Sequence, residues 1–511
     1  MSESPRTAPA LNNRTLGASP SSQLETPGYD RRRIEPAIVH FGVGGFHRAH
    51  QEVYYDELAE LGFTRWGVVG VGMRRPEMRQ VLDAQDNLFT VVQRDGDDST
   101  AKVIGSMVEY LLLTEDRAGV EARLADPRTR LVTLTITADG YALPADPGRA
   151  RDSVFGLIVD ALDRRRRARH APFTVLSCDN LPDSAAVTRE AVMALVGRKD
   201  PALARWIAER VSFPDSMVDR ITPVTSPGDR DGVEEDFRVG DRWPVITEPF
   251  TQWVIQDDFC NDRPPLDRVG ALFVDDVAPY KLIKSRILNG THCALGYVGY
   301  LAGHRRTDQA LADPAVAGFV RRLMREEIAP LLPAGVPGMD PYAYCDTVLE
   351  RLRNPGIGDQ LARLCRRGST KMPDYLLPSL HAAHAQDRPR ARLAFAVAAW
   401  MRYLRGTDLD GAPIDVQDAR AGELRAAALQ GGDDPAPLLA VTDVFGGLAG
   451  DTDGVAVIRA ALAGAFTDGR NLRAALSSPA RPVRPAVRSA TPRPQESHEH
   501  PRSRRRHDTA A

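Results

Sequence analysis

The chain has no apolar run near the ~18 residues that a membrane-spanning helix needs. It has no C-x-x-C pair either. Its five cysteines, Cys178, Cys260, Cys293, Cys345 and Cys365, are scattered, which argues against a cysteine zinc site and suits a reducing cytoplasm. The N-terminus lacks the apolar core of a signal peptide, so a cytoplasmic location is expected, with no membrane contact. Net charge is nearly absent, formally -2, which excludes a generally basic nucleic-acid binder. No internal repeat is visible. What remains is ordinary globular composition, 43% hydrophobic and 26% charged over 511 residues. Two domains are expected at this length, because single cores stop growing near ~250–300 residues.

Residues 1–33 are polar and aperiodic and read as a disordered leader. An apolar run, Ala37 to Phe41, then passes into Gly42-Val43-Gly44-Gly45-Phe46-His47 and on into a helical pattern from Gln51 to Leu61. This is the strand–turn–helix context of a dinucleotide fingerprint. Gly42 suits the tight turn, and Gly44 lets the backbone approach a pyrophosphate. His47 stands where the third glycine of G-x-G-x-x-G belongs, so the simple pattern fails. A second buried strand, Trp66 to Met73, runs into Arg74-Arg75-Pro76-Glu77. Glu77 suits the ribose hydroxyls of NAD, whereas Arg74 or Arg75 suits the 2′-phosphate of NADP. The strand end carries both.

Further strands are expected at Phe89–Val92, Lys102–Ile104, Leu131–Thr137 and Phe173–Ser177. The last delivers Cys178-Asp179-Asn180-Leu181 at its carboxyl end, where open α/β sheets hold ligands. Helices between these strands argue for a mostly parallel sheet. Residues 226–242 are charged and glycine-rich and read as a surface loop. From about residue 276 the pattern is helix after helix. The expected architecture is therefore α/β: a Rossmann-type, mostly parallel domain over 34–275, then a mainly α-helical domain over 276–478. A disordered Pro/Arg-rich tail is expected over 479–511.

The most informative stretch opens the second domain: Lys284-Ser285-Arg286-Ile287-Leu288-Asn289-Gly290-Thr291-His292. On an α-helix, at roughly 100° per residue, His292 lies about 80° and Asn289 about 140° around from Lys284. A buried lysine loses the solvation of its ammonium form, so its free amine becomes a usable base. Asn289 and His292 offer donors for an alkoxide or carbonyl oxygen. A snorkelling lysine, a cap and a core histidine would give the same letters, so the helix alone does not decide. Asp219, in Val218-Asp219-Arg220, either faces the cleft or pairs near Arg220.

Taken in order, G-x-G-G-F-H-R-A-H, T-I-T-x-x-G-Y, C-D-N-L, S-F-P-x-x-M-V-D-R-I-T-P and K-x-x-x-L-N-G-x-H resemble the mannitol dehydrogenase family from about residue 34 to about 477. These are long-chain, zinc-independent polyol dehydrogenases. The resemblance implies an NAD-dependent enzyme, with NADP an alternative, that interconverts a polyol and a ketose without a metal, D-mannitol and D-fructose first. Arabinitol and the hexuronates are the alternative substrates. An inactive nucleotide-binding relative is the rival from another class. The resemblance implies Lys284 as general base, Asn180 and Asn289 as the oxyanion hole and His292 as a ligand of the reacting hydroxyl. It further implies Asp219 near the substrate and Gly42, Val43, Gly44, Gly45 and Phe46 in the nucleotide loop. A monomer is compatible with it. Two departures stand out. Ala138 replaces a glutamate often found before G-Y, and Lys281 stands where an acid often precedes the catalytic lysine.

Overall fold

The structure is a computed structural model that describes residues 8–197 and 200–478. Its first half is built on five parallel strands: β1 (Pro36–Phe41), β2 (Gly67–Gly72), β3 (Met107–Leu112), β4 (Leu131–Leu134) and β5 (Thr174–Ser177). Their spatial order is β3-β2-β1-β4-β5, and every pairing is parallel. All residues of β2, β4 and β5 are buried. Such strands are covered on both faces, which is why they read as continuous apolar runs rather than alternating ones. The strand order reverses between β1 and β4, and a cleft opens there, as it does in doubly wound sheets.

Two expected strands lie elsewhere. Phe89–Asp95 and Asp98–Ile104 form an antiparallel hairpin within a separate four-stranded sheet. The signal is the tight Asp95-Gly96-Asp97-Asp98 connection, where Gly96 has a φ of +63°, the left-handed geometry of hairpin turns. The expected surface loop at 226–242 contains a helix, Pro227–Phe237. Ser226 and Asp229 form a reciprocal capping box there, with proline in the first turn, and these start signals outweigh two interior glycines.

The expected disordered leader is a further correction over residues 8–33. Leu11 is 2% exposed and packs in a cluster with Val103 and Phe237. Leu24–Glu25 pairs in parallel with Asp98–Ile104. Tyr29 donates its hydroxyl proton to buried Asp56. The segment is polar because it lies on the surface, yet its few apolar residues find partners. Residues 1–7 and the expected tail at 479–511 lie outside the described residues.

The second half is helical. Its first helix, α3 (Ala278–Lys284), follows strand β6 (Ser216–Asp219) and the helix α2 (Ser184–Val196) in chain order; the short helix α1 (Gly45–Ala49) lies in the glycine-rich loop after β1. Helix α4 (Gly290–Leu301) runs through the core of this half, and α5 (Pro341–Arg353) returns toward the sheet domain. Among the described residues no helix is long and apolar enough to cross a membrane.

Candidate active site

Lys284 ends α3, and the chain does not continue as a plain α-helix. Ser285–Asn289 forms a π-helical turn before α4 begins. A turn closed by i→i+5 bonds brings the fifth residue back over the first. Lys284 and Asn289 are five apart, so the insertion moves Asn289 toward the lysine's face. This replaces the wider separation expected of an α-helix. Asn289 and His292 both line the cleft with Lys284.

The Lys284 side chain is 7% exposed. Its Nζ donates to Asn180 Oδ1 at 3.0 Å and to the Val218 carbonyl at 2.8 Å. Burial pushes its pKa below the ordinary lysine range. Asp219 opposes the shift, and the cations Arg351 and Lys281 reinforce it. With Oδ1 facing the lysine, the Asn180 amide N–H groups make no hydrogen bond among the described residues.

Asn180 is held in place from behind. Its neighbour Asp179 accepts from Ile136 N at 2.9 Å, Thr137 N at 3.0 Å and the Tyr141 hydroxyl at 2.8 Å. The T-I-T-x-x-G-Y and C-D-N-L motifs are thus two halves of one support. Ala138 sits exposed in the turn Ala138–Tyr141, outside the lining of the cleft.

Asp219 lines the cleft, but both its oxygens are engaged. Arg351 of α5 donates to each of them at 2.8 Å, and the Tyr344 hydroxyl adds a third bond. Of the two alternatives open for Asp219, the cleft-facing one holds and the pairing near Arg220 is not made. Arg220 instead binds the Glu248 and Ala49 carbonyls. Burial alone would raise the Asp219 pKa, but the Arg351 guanidinium brings it down to about 2. Arg351 also binds the Glu248 carboxylate at 2.8 Å. One cation thus spans two buried acids and fastens the helical half to the sheet half directly behind Lys284.

The glycine-rich loop follows β1. Gly42 has a φ of +97°, and a Cβ there would lie 2.2 Å from the Thr135 carbonyl, so the turn requires glycine. Gly44 would meet only the Gly42 carbonyl, at 3.7 Å, which leaves its face open to a ligand. Gly45 and Phe46 line the cleft with Gly42 and Gly44, whereas Val43 is buried. His47 stacks flat on His40, with ring centroids 3.4 Å apart. A packed ring therefore stands where the fingerprint has its third glycine. Glu77 is exposed in the first turn of the helix Pro76–Ala84, next to Arg74 and Arg75, beyond the lining of the described cleft.

The cleft holds about 510 Å³ between the two halves. Its far wall carries residues that sequence reasoning missed: Arg363, Lys371 and Tyr375. They lie some 80 to 90 residues beyond Lys284, on short helical segments with no motif of their own. Their types, two cations and a phenol, do not stand out among the neighbouring Arg366, Arg367 and Asp374. Arg363 pairs with Asp359 at 2.7 Å, and Lys371 donates to the Leu364 carbonyl at 3.1 Å. Burial, with Arg363 and Lys371 nearby, pushes His292 down to about 3. The imidazole is therefore neutral, and its Nε2 has no partner among the described residues. No group of three His, Cys, Asp or Glu side chains suited to a metal occurs among the described residues.

Known proteins match both halves. The family model for the mannitol dehydrogenase Rossmann domain matches residues 36–268. The mannitol dehydrogenase C-terminal domain matches residues 276–464. A mannitol 2-dehydrogenase of Aspergillus fumigatus is 41% identical over 464 residues, covering 85% of this chain and 92% of the relative. One from Pyricularia oryzae is 40% identical, covering 84% and 90%. Among solved structures, Pseudomonas fluorescens mannitol 2-dehydrogenase in a ternary complex with NAD and D-mannitol is 37% identical. It superposes with a TM-score of 0.81, over 92% of this chain and 100% of that one. A substrate-free D-sorbitol dehydrogenase is 30% identical with the same TM-score and coverage. Matched across both domains, the chain belongs to the mannitol dehydrogenase family.

Proposed function

We propose that this protein is an NAD-dependent polyol dehydrogenase that interconverts D-mannitol and D-fructose, with Lys284 as the general base. The observation that carries the reading is the Lys284 amine, buried between Asn180 Oδ1 and the Val218 carbonyl and facing a cleft that the glycine loop also lines. The activities of the relatives, and the NAD and D-mannitol bound by the Pseudomonas fluorescens protein, support the cofactor and the substrate class.

The loop fits a dinucleotide. Gly42 makes the turn and Gly44 leaves room for the backbone to approach a pyrophosphate. Glu77, exposed past the end of β2, accepts the adenosine ribose hydroxyls and favours NAD over NADP. Bound NAD supplies the hydride acceptor. The protein does the rest. Lys284, as a free amine, removes the proton from the C2 hydroxyl. Asn180 and Asn289 donate to the oxygen as its charge grows. Neutral His292 offers Nε2 to the same region and orients the hydroxyl. Asp219, held by Arg351, is a fixed negative charge beside the lysine rather than a free substrate ligand.

A hexuronate reductase is the second reading, because Arg363 and Lys371 at the far wall would suit a carboxylate. Arg363 is already paired with Asp359, and the relatives' activities favour the neutral polyol. Initial rates of NADH and NADPH oxidation against fructose, xylulose, fructuronate and tagaturonate test the choice. Turnover of fructose with NADH is expected. Turnover of the uronates alone would move the substrate to the sugar acids.

A further inference from the structure

Lys281 touches no reacting group in the chemistry above, where it enters only as a charge near Lys284, yet its Nζ is fully engaged. It donates to Asp215 Oδ1 at 2.5 Å, to Ser184 Oγ at 3.0 Å and to the Leu181 carbonyl at 3.3 Å. One turn later on α3, Lys284 donates to Asn180 and Val218. The two lysines therefore grip the same two segments of the sheet domain. One segment is residues 180–184, between β5 and α2. The other is residues 215–218, which lead through β6. Ser184 Oγ in turn donates to Asp215 Oδ1 at 2.8 Å, tying the two segments to each other.

The loop around Asn180 needs such a hold. Upstream, Asp179 is fixed by its three bonds to residues 136–141. Downstream, Asp183 sits in the left-handed region at a φ of +46°, and α2 starts without a side-chain cap bond. The bonds from Lys281 to Ser184 Oγ and to the Leu181 carbonyl hold that side, the latter one residue from Asn180. The Lys281–Asp215 pair is only 19% exposed on either side, so it is better shielded than a surface pair. Charge sign matters as well. An acid at position 281 would meet Asp215 and a carbonyl oxygen with like polarity, so the contact set belongs to a cation.

We propose that Lys281 is a positioning residue: its ammonium clamps the helix of Lys284 to the loop of Asn180 and so fixes the distance between base and oxyanion donor. The proposal rests on the reading of those two residues given above. Lys281→Met keeps the side-chain stem and removes the donors, and Lys281→Arg keeps a cation that can still reach the carboxylate.

Hydrogen exchange of the full-length protein tests the clamp without any substrate. In Lys281→Met, amides in the 178–186 segment should exchange about tenfold faster, the scale of a lost charge-assisted hydrogen bond. In Lys281→Arg they should return toward the wild-type rate. In parallel, kcat with fructose and NADH should fall about 10- to 100-fold in the Met variant, the scale of a misplaced catalytic group, while NADH affinity holds. Asp215→Asn should reproduce the effect, and adding it to Lys281→Met should cost nothing more. Unchanged exchange in both single variants would overturn the clamp. So would additive losses, or a kcat equal to wild type. A wild-type protein inert toward every polyol and ketose would instead sink the functional reading, while the exchange result would still stand or fall alone.

Discussion

In the proposed reaction Lys284 serves as a base because of where it is buried, not because lysine is one. Desolvation favours the neutral amine, and the Arg351 and Lys281 charges push the same way against Asp219. The sign for catalysis follows. Polyol oxidation needs the free amine, so kcat/KM for the polyol should rise with pH through an inflection below the ordinary lysine value of 10.5. Ketose reduction uses the ammonium and should fall across the same window. Neutral His292, pushed down to about 3, should add no step near the usual histidine range. A pH profile of both directions checks this, and a histidine-like inflection in either would contradict it. Replacing Asn180 or Asn289 by Ala should each lower kcat by about 10²–10³, the scale of a lost oxyanion donor, as read from initial rates. Lys284, Asn289, His292 and Asn180 were legible in the sequence because each sits inside a motif. Arg351, Arg363 and Lys371 were not, because their roles arise only when distant helices fold back on the cleft. Asp219 was legible as an acid that could face the cleft, but its partner on α5, more than a hundred residues later, was not.

At the level of elements, the decisive feature is the π-helical turn between α3 and α4. Such turns are commonly single-residue expansions found at functional sites. Inserting an alanine after half-buried Ser285 should put Lys284 and Asn289 six residues apart and swing Lys284 by about 100° relative to Asn289. Turnover should drop by at least about 10²-fold with far-UV circular dichroism unchanged. Retained activity would show that the turn is incidental. Periodicity found this helix but not its irregularity, since the seam is apolar whichever way the turn is closed. The same limit explains the other differences. The hairpin of Phe89–Asp95 and Asp98–Ile104 has the β-prone residues of a sheet strand, and only its Asp-Gly turn separates it from the parallel set. The helix Pro227–Phe237 is announced by its cap alone, because its glycines and charges hide any apolar stripe. The buried strands of the parallel sheet were plain for the opposite reason: covered on both faces, they had to be continuous and apolar.

On the scale of the whole molecule, the two halves meet over the cleft and are fastened by Arg351 to Asp219 and Glu248. The halves were legible as a change from strand–helix alternation to helix after helix near residue 276. The N-terminal segment was misread because polar composition alone cannot separate a disordered leader from a surface strap. Leu11 makes the difference measurable. It is 2% exposed against Val103 and Phe237, so Leu11→Ala should destabilise the protein by about 2–5 kcal/mol, seen as a lower denaturation midpoint. An unchanged midpoint would return the segment to a dispensable leader.

The most direct test of the account is one variant read two ways. Lys284→Ala should abolish fructose reduction and mannitol oxidation while NADH still quenches and binds as in the wild type. Near-normal turnover in that variant would contradict Lys284 as the base.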